Sequence, residues 1–361
     1  MWRNLMPLLM NKQNILVIKH SALGDFVLAT GPMQAIRRHH PDAHITLLTT
    51  KAYAAWGRDC GWFDAVMVDT RPKPWEFGAL KILRRELRAA NFTRVYDLQT
   101  SRRSSAYYYL MQPHRAEWVG IVRVGSHYHR NPNRTRLHTV DRQREQLAIA
   151  GITAVPDPNL DWLVADVSRF SFAQKTNVIL SAAKDPEDRD PSVATLPQDD
   201  NKGFVLLVPG GSAHRPEKRW PANYFATLAT DLLTRGITPV LIGAEADRVV
   251  MDAIAATDAR IINLCQQTNF AEIVSLGRLA MGAVGNDTGP MHLLAPTGCP
   301  GVVLFSAASD PALCAPRGVQ NDQNMAIMRE NDLKNLHPDA VIASLWALVN
   351  RNPRDNGASR S

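Results

Sequence analysis

No Cys-x-x-Cys pair occurs in this chain; Cys60, Cys265, Cys299 and Cys314 are scattered, and none has a histidine at metal-ligand spacing. A disulfide framework and a thiolate metal site are both excluded as organising features, which points to a reduced, cytosolic compartment. No run approaches the roughly 20 apolar residues that a transmembrane helix needs. The apolar residues among positions 1–10 are interrupted by Arg3, Asn4 and Pro7, with no small-residue cleavage site behind them. A signal peptide is therefore not expected, and any membrane contact should be peripheral. Also missing are internal repeats of solenoid length and a Gly-x-Gly-x-x-Gly after any predicted strand, which disfavours a nicotinamide dehydrogenase. Acid is scarce in the first half: residues 1–160 carry 23 Lys+Arg against 12 Asp+Glu, a balance of +11, whereas residues 161–361 balance at −4.

The chain's 361 residues suffice for two domains, each burying a core of its own. Short β-branched runs at 15–18, 45–48, 65–68 and 95–98 alternate with helix candidates at 52–56 and 80–90, and a further apolar pattern from Phe26 to Ile36 stops at Pro41. A second series has strands at 204–208, 238–242, 260–264, 279–284 and 301–305, with helices at 224–234, 247–255 and 270–278. Strand–helix alternation predicts α/β domains with parallel, doubly wound sheets, whose ligands bind at the carboxyl edge. Residues 166–202, rich in Asp and Pro, read as a polar linker or insertion. Residues 338–349 read as an amphipathic terminal helix, and 351–361 as a disordered tail.

Four strand-end turns carry the chemistry. The fullest is Gly285-Asn286-Asp287-Thr288-Gly289-Pro290-Met291-His292. Here a buried strand turns through Gly289, which tolerates an unusual backbone angle, into a helix started by Pro290. A helix start favours an anion such as phosphate, and Asp287 beside it can accept from sugar hydroxyls, so a nucleotide sugar suits the pair. A turn merely capped by Asp287 or Thr288 is the alternative. Ser212 lies in the Pro-Gly-Gly-Ser turn, and Lys218 in the restricted basic turn after it, where it could meet a diphosphate as a point charge or simply be solvated. Glu245 follows Gly243, placed either to accept from ribose hydroxyls or to stabilise a helix dipole. Asp25, beside Gly24, is a candidate general base if burial raises its pKa, or else a helix cap. The nine arginines between Arg102 and Arg144 face only Glu117 and Asp141 as acids. They form either a solvated surface or a field for a polyanion: nucleic acid, an anionic membrane or a phosphorylated substrate.

Ser21-Ala22-Leu23-Gly24-Asp25, Lys218-Arg219-Trp220-Pro221 and Asn286-Asp287-Thr288-Gly289-Pro290-Met291-His292, in that order, resemble the bacterial heptosyltransferases of glycosyltransferase family 9. Asp97-Leu98-Gln99 with Arg102 and Ser104 is similar to the family's acceptor-side loop. The resemblance spans roughly residues 14–350. It implies a GT-B fold: two doubly wound, Rossmann-like domains facing across a cleft. The acceptor-binding domain would cover 1–165 and the nucleotide-sugar domain 203–337, with a helix at 338–350 packing back on the first. It implies Asp25 as catalytic base. Ser212, Lys218, Glu245, Asp287, Thr288, Gly289 and His292 would bind the donor, and Ser21, Gly24, Gln99, Arg102 and Ser104 the acceptor. The implied reaction is inverting heptose transfer from ADP-heptose to the lipopolysaccharide inner core, with neither metal nor cofactor. The acceptor would be an anionic, lipid-linked saccharide. The enzyme would work as a monomer without nucleic acid, peripherally on the cytoplasmic face of the inner membrane. A GT-B transferase or epimerase for another nucleotide sugar would share these turns.

Overall fold

The computed structural model describes residues 13–113, 115–174, 203–211, 214–319 and 323–351. The chain divides into two compact units, Met1–Pro156 and Asp157–Ser361. In the first, strands β1 (Asn14–Ile18), β2 (His44–Thr49), β3 (Ala65–Val68), β4 (Arg94–Asp97), β5 (Glu117–Gly120) and β6 (His127–Tyr128) alternate with helices. These are α1 (Leu23–Leu28), α2 (Thr30–His39), α3 (Ala54–Asp59), α4 (Phe77–Ala89), α5 (Arg102–Met111) and α6 (Thr139–Ala148). The sheet runs β3-β2-β1-β4-β5-β6, all parallel.

The second unit repeats the plan. Its strands are β7 (Phe204–Val208), β8 (Thr238–Gly243), β9 (Ile262–Cys265), β10 (Gly282–Asn286), β11 (Gly301–Phe305) and β12 (Met325–Arg329). Its helices are α7 (Ala222–Thr234), α8 (Arg248–Ala255), α9 (Phe270–Leu279), α10 (Gly289–Leu294), α11 (Pro311–Cys314) and α12 (Pro338–Val349). The order β12-β11-β10-β7-β8-β9 is again parallel throughout. The predicted α/β class with two doubly wound units is what the chain forms. In each sheet the winding direction reverses at the centre, between β1 and β4 and between β7 and β10, and at that reversal the loops part to leave room for a ligand.

Two expectations are corrected. The boundary falls at Pro156 rather than 165, because Arg278 of α9 donates to the carbonyls of Leu160 and Leu163 (2.8 and 3.0 Å) and Ser275 accepts from the Ala165 amide. The first residues of the expected linker are also core: Phe170, Phe172 and Ala173 are buried, and Phe172 packs edge-on to Phe204 of β7. The terminal helix α12 buries Val341, Leu345 and Leu348 in the second unit's core. The remainder of the expected insertion, from 175, and of the tail, from 352, lies outside the described residues. Among the described residues no helix is long and apolar enough to cross a membrane.

The single helix suggested from Phe26 onward is broken at Ala29 into α1 and α2. Pro32 has no amide to continue the ladder, and the Thr30 hydroxyl bonds back to the Val27 carbonyl at 2.7 Å.

Candidate functional site

The reversal point of the second sheet collects most of the predicted donor residues. Asn286, the last residue of β10, is fully buried. Its amide donates to the carbonyls of Pro209 and Gly210 (2.8 and 3.0 Å), while its oxygen accepts from the Trp220 amide at 2.9 Å. One side chain thereby ties the glycine turn after β7 and the basic turn at 215–220 to the end of β10. Close approach of the two strands also needs Gly285, where a Cβ would come within 2.6 Å of Val208. Replacing Asn286 by leucine should leave a buried N–H and two carbonyls unmatched, lowering stability by about 2–4 kcal/mol. A urea midpoint equal to the parent's would show that the clasp is dispensable.

Onto this clasp the chain places Lys218 and Asp287. Lys218 Nζ lies 2.7 Å from Asp287 Oδ2, with the two side chains 14% and 8% exposed. The Ser309 hydroxyl donates to the same carboxylate oxygen at 2.7 Å. Asp287 therefore caps nothing. Thr288 is the N-cap of α10, in extended conformation and without a side-chain capping bond, and Gly289 enters the helix without a left-handed angle, unlike the sequence expectation. His292 is the buried fourth residue of that six-residue helix. Ser212 lies outside the described residues.

Glu245 is not brought into this cluster. It is exposed and paired with Arg248 at 2.6 Å, and that hydrogen-bonded partner lowers its pKa. The acid the sequence reading missed is two residues on. Asp247 accepts from the Gly211 amide (3.2 Å) and the Ala244 amide (3.2 Å), and its carboxylate covers Gly210, where a Cβ would sit 2.4 Å away. Asp247 fixes the loops after β7 and β8. The spacing of acids after Gly243 could have flagged it.

At the reversal of the first sheet, Asp25 is the third residue of α1, half-buried, with its Oδ2 3.5 Å from the Ala22 amide. Lys19, directly after β1, is a buried lysine, 3% exposed. Burial lowers its pKa, and the carboxylates of Asp25 and Asp97 oppose that shift. Arg142 of α6 is likewise near Asp25: its pKa is lowered by burial and raised by that carboxylate. The signal for Lys19 was a lysine directly after an apolar strand.

Of the acceptor-side residues, Gln99 braces the turn after β1, its oxygen accepting from the His20 and Ser21 amides (2.9 and 3.4 Å). Ser104 is buried and reciprocates with Ser101 at the start of α5, accepting from the Ser101 amide at 2.9 Å. Arg102 is exposed, Gly24 lies in the first turn of α1, and the Ser21 side chain is half-buried. Thr100, a β-branched residue, is held at φ 46° between Gln99 and Ser101, a strain such loops carry where geometry is over-determined. Nearby, His20 is buried 3.5 Å from Asp69, which also accepts from the Tyr107 hydroxyl; burial lowers the imidazole pKa to about 4.

Asp97 is fully buried at the end of β4, and burial raises its pKa to about 6 against the Thr100 amide, which donates to it at 2.9 Å. An aspartate ordinarily titrates near 3.8. From about pH 4 to about pH 6 the folded chain therefore holds a proton the unfolded chain has released, and this group's contribution to stability falls as pH rises through that window. Urea unfolding across the window should show the parent losing stability relative to Asp97→Asn. Parallel curves would refute the assignment.

Among the described residues no group of three or more His, Cys, Asp or Glu is placed to hold a metal ion. The model of glycosyltransferase family 9 (heptosyltransferase) matches residues 81–340. Lipopolysaccharide heptosyltransferase 2 of Escherichia coli K12 is 25% identical over 82% of this chain and 83% of its own length. Lipooligosaccharide heptosyltransferase 2 of Haemophilus ducreyi is 24% identical over 93% of this chain and 99% of its own. Among solved structures, the E. coli heptosyltransferase WaaC with ADP superposes with a TM-score of 0.64 at 20% identity, covering 93% of this chain and all of that one.

Proposed function

This chain belongs to glycosyltransferase family 9, and on that premise we propose that it moves heptose from ADP-heptose to a lipopolysaccharide inner-core acceptor, inverting the anomeric carbon without a metal ion. That it is a glycosyltransferase follows from the family; donor, stereochemistry and acceptor are the proposal. The observation that carries it is the Lys218–Asp287 pair at the reversal point of the second sheet.

In this reading Lys218 and the backbone at Thr288-Gly289 hold the donor's diphosphate, and Asp287 accepts from hydroxyls of the transferred sugar. Charge that builds on the departing diphosphate is met by a preplaced ammonium, which removes the need for a metal. Asp25 accepts the acceptor hydroxyl's proton as that oxygen attacks the anomeric carbon opposite the leaving group. Inversion of configuration at that carbon is the consequence. ADP as the donor's nucleotide is supported by the relative solved with it. The basic first unit suits an anionic, lipid-linked acceptor, and we place the enzyme as a monomer at the cytoplasmic face of the inner membrane. Turnover assays with ADP-heptose, UDP-sugars and GDP-sugars test the donor. Transfer from a UDP- or GDP-sugar with none from ADP-heptose would overturn it in favour of another nucleotide-sugar enzyme.

A further inference from the structure

We propose that the outward face of α4, with the loop entering it, docks the protein onto an anionic lipid surface, Trp75 and Phe77 entering the headgroup layer while Lys81, Arg84, Arg85 and Arg88 engage lipid phosphates. Helix α4 spends its apolar side on its own unit: Leu83 and Leu87 are buried in the core that also holds Tyr107 and Met111 of α5. The outward side carries Phe77, Lys81, Arg85 and Arg88 at helical spacing. Three large apolar side chains are left in water there: Trp75 at 67%, Phe77 at 76% and Ile82 at 50% exposure. Single exposed apolar residues are ordinary, but three within eight positions mark a contact surface.

Charge complements the aromatic tip. From Arg71 to Arg88 six basic residues face only Glu76 and Glu86, and the Glu76 carboxylate is engaged by the Lys73 amide. Lys73 Nζ stands 5.4 Å from the Trp75 ring, keeping a cation beside the exposed indole. Trp and Phe at the tip with a basic flank is the composition of an interfacial anchor. A nucleic-acid surface would instead set aromatics along the basic track for stacking.

The placement also fits the proposed acceptor. The 71–77 loop leaves β3 at its carboxyl end, the same sheet edge as Asp25, and Arg103 of α5 holds it by donating to the Pro72 carbonyl at 3.1 Å. A lipid-linked saccharide would thus be met on the side where the base stands. The docking surface rests on the lipid-linked reading only for its purpose. Vesicle binding is measured without donor or acceptor, so its failure and a failure of heptose transfer are separate results.

Sedimentation with phosphatidylcholine vesicles, with and without phosphatidylglycerol, tests it on the full chain. The parent should partition to the phosphatidylglycerol vesicles and not to phosphatidylcholine alone. Each basic residue near an anionic surface contributes about 1 kcal/mol, roughly fivefold, so K81E/R85E should lower partitioning by more than tenfold. W75S/F77S should lower it as well, with melting curves and turnover on a delipidated acceptor unchanged in both variants. Variants that partition like the parent, or a parent that binds a duplex oligonucleotide through these residues and not vesicles, would overturn the proposal.

Discussion

Asp25→Asn lowers kcat for heptose transfer by roughly two to four orders of magnitude, the range a lost general base commands, while donor affinity stays within about twofold of the parent. Position is the argument. Asp25 stands in the first turn of α1 at the reversal of the first sheet, and the Ala22 amide that reaches its carboxylate does so at a weak 3.5 Å. The carboxylate thus keeps acceptor capacity for an incoming hydroxyl. Donor groups are proposed on the second unit, so the substitution separates chemistry from donor binding. Single-turnover rates with calorimetric titration of ADP measure the two apart. A variant that keeps most of its kcat would reduce Asp25 to a first-turn acid of the helix.

Lys218→Ala is expected to lower kcat/KM by about two to three orders of magnitude, the loss seen when a preorganised group facing developing negative charge is removed, and to weaken ADP binding as well. Lys218→Arg should recover part of it, since the charge is kept but its compact point geometry is not. Among the described residues the Lys218 ammonium is bonded to Asp287, so a purely architectural lysine would show a lowered melting temperature with kcat/KM intact. That pattern would sink the diphosphate assignment.

The two sheets were legible where strands are continuous apolar runs: β7 and β11 fall where the residues place them. The stretch from Arg102 to Arg144 was not, because its arginines read as a charged surface whereas the fold puts α5, α6, β5 and β6 there. Helix α6 has little apolar periodicity to find. It buries Gln143 and Gln146, whose amides donate to the carbonyls of Leu98, Asp97 and Val119, so polar bonds across strand ends replace a hydrophobic stripe. Strand β12 is a half-exposed edge, too mixed to show a pattern. At the site, the Asp287 turn and Lys218 were visible from residue type and position. Asn286, Asp247 and Ser309 were not assigned roles, because the bonds that tie them to the site, to Pro209, Gly211 and Asp287, cross long stretches of chain.

The Lys218–Asp287 contact has a consequence for the end of the catalytic cycle. A diphosphate that takes the ammonium does so against a carboxylate already bonded to it at 2.7 Å. In the proposed reading, once the sugar has gone Asp287 reclaims the lysine as ADP departs. On that reading the protein carries its own displacing anion, and the expected result is that Asp287→Asn releases ADP more slowly than the parent in a stopped-flow chase.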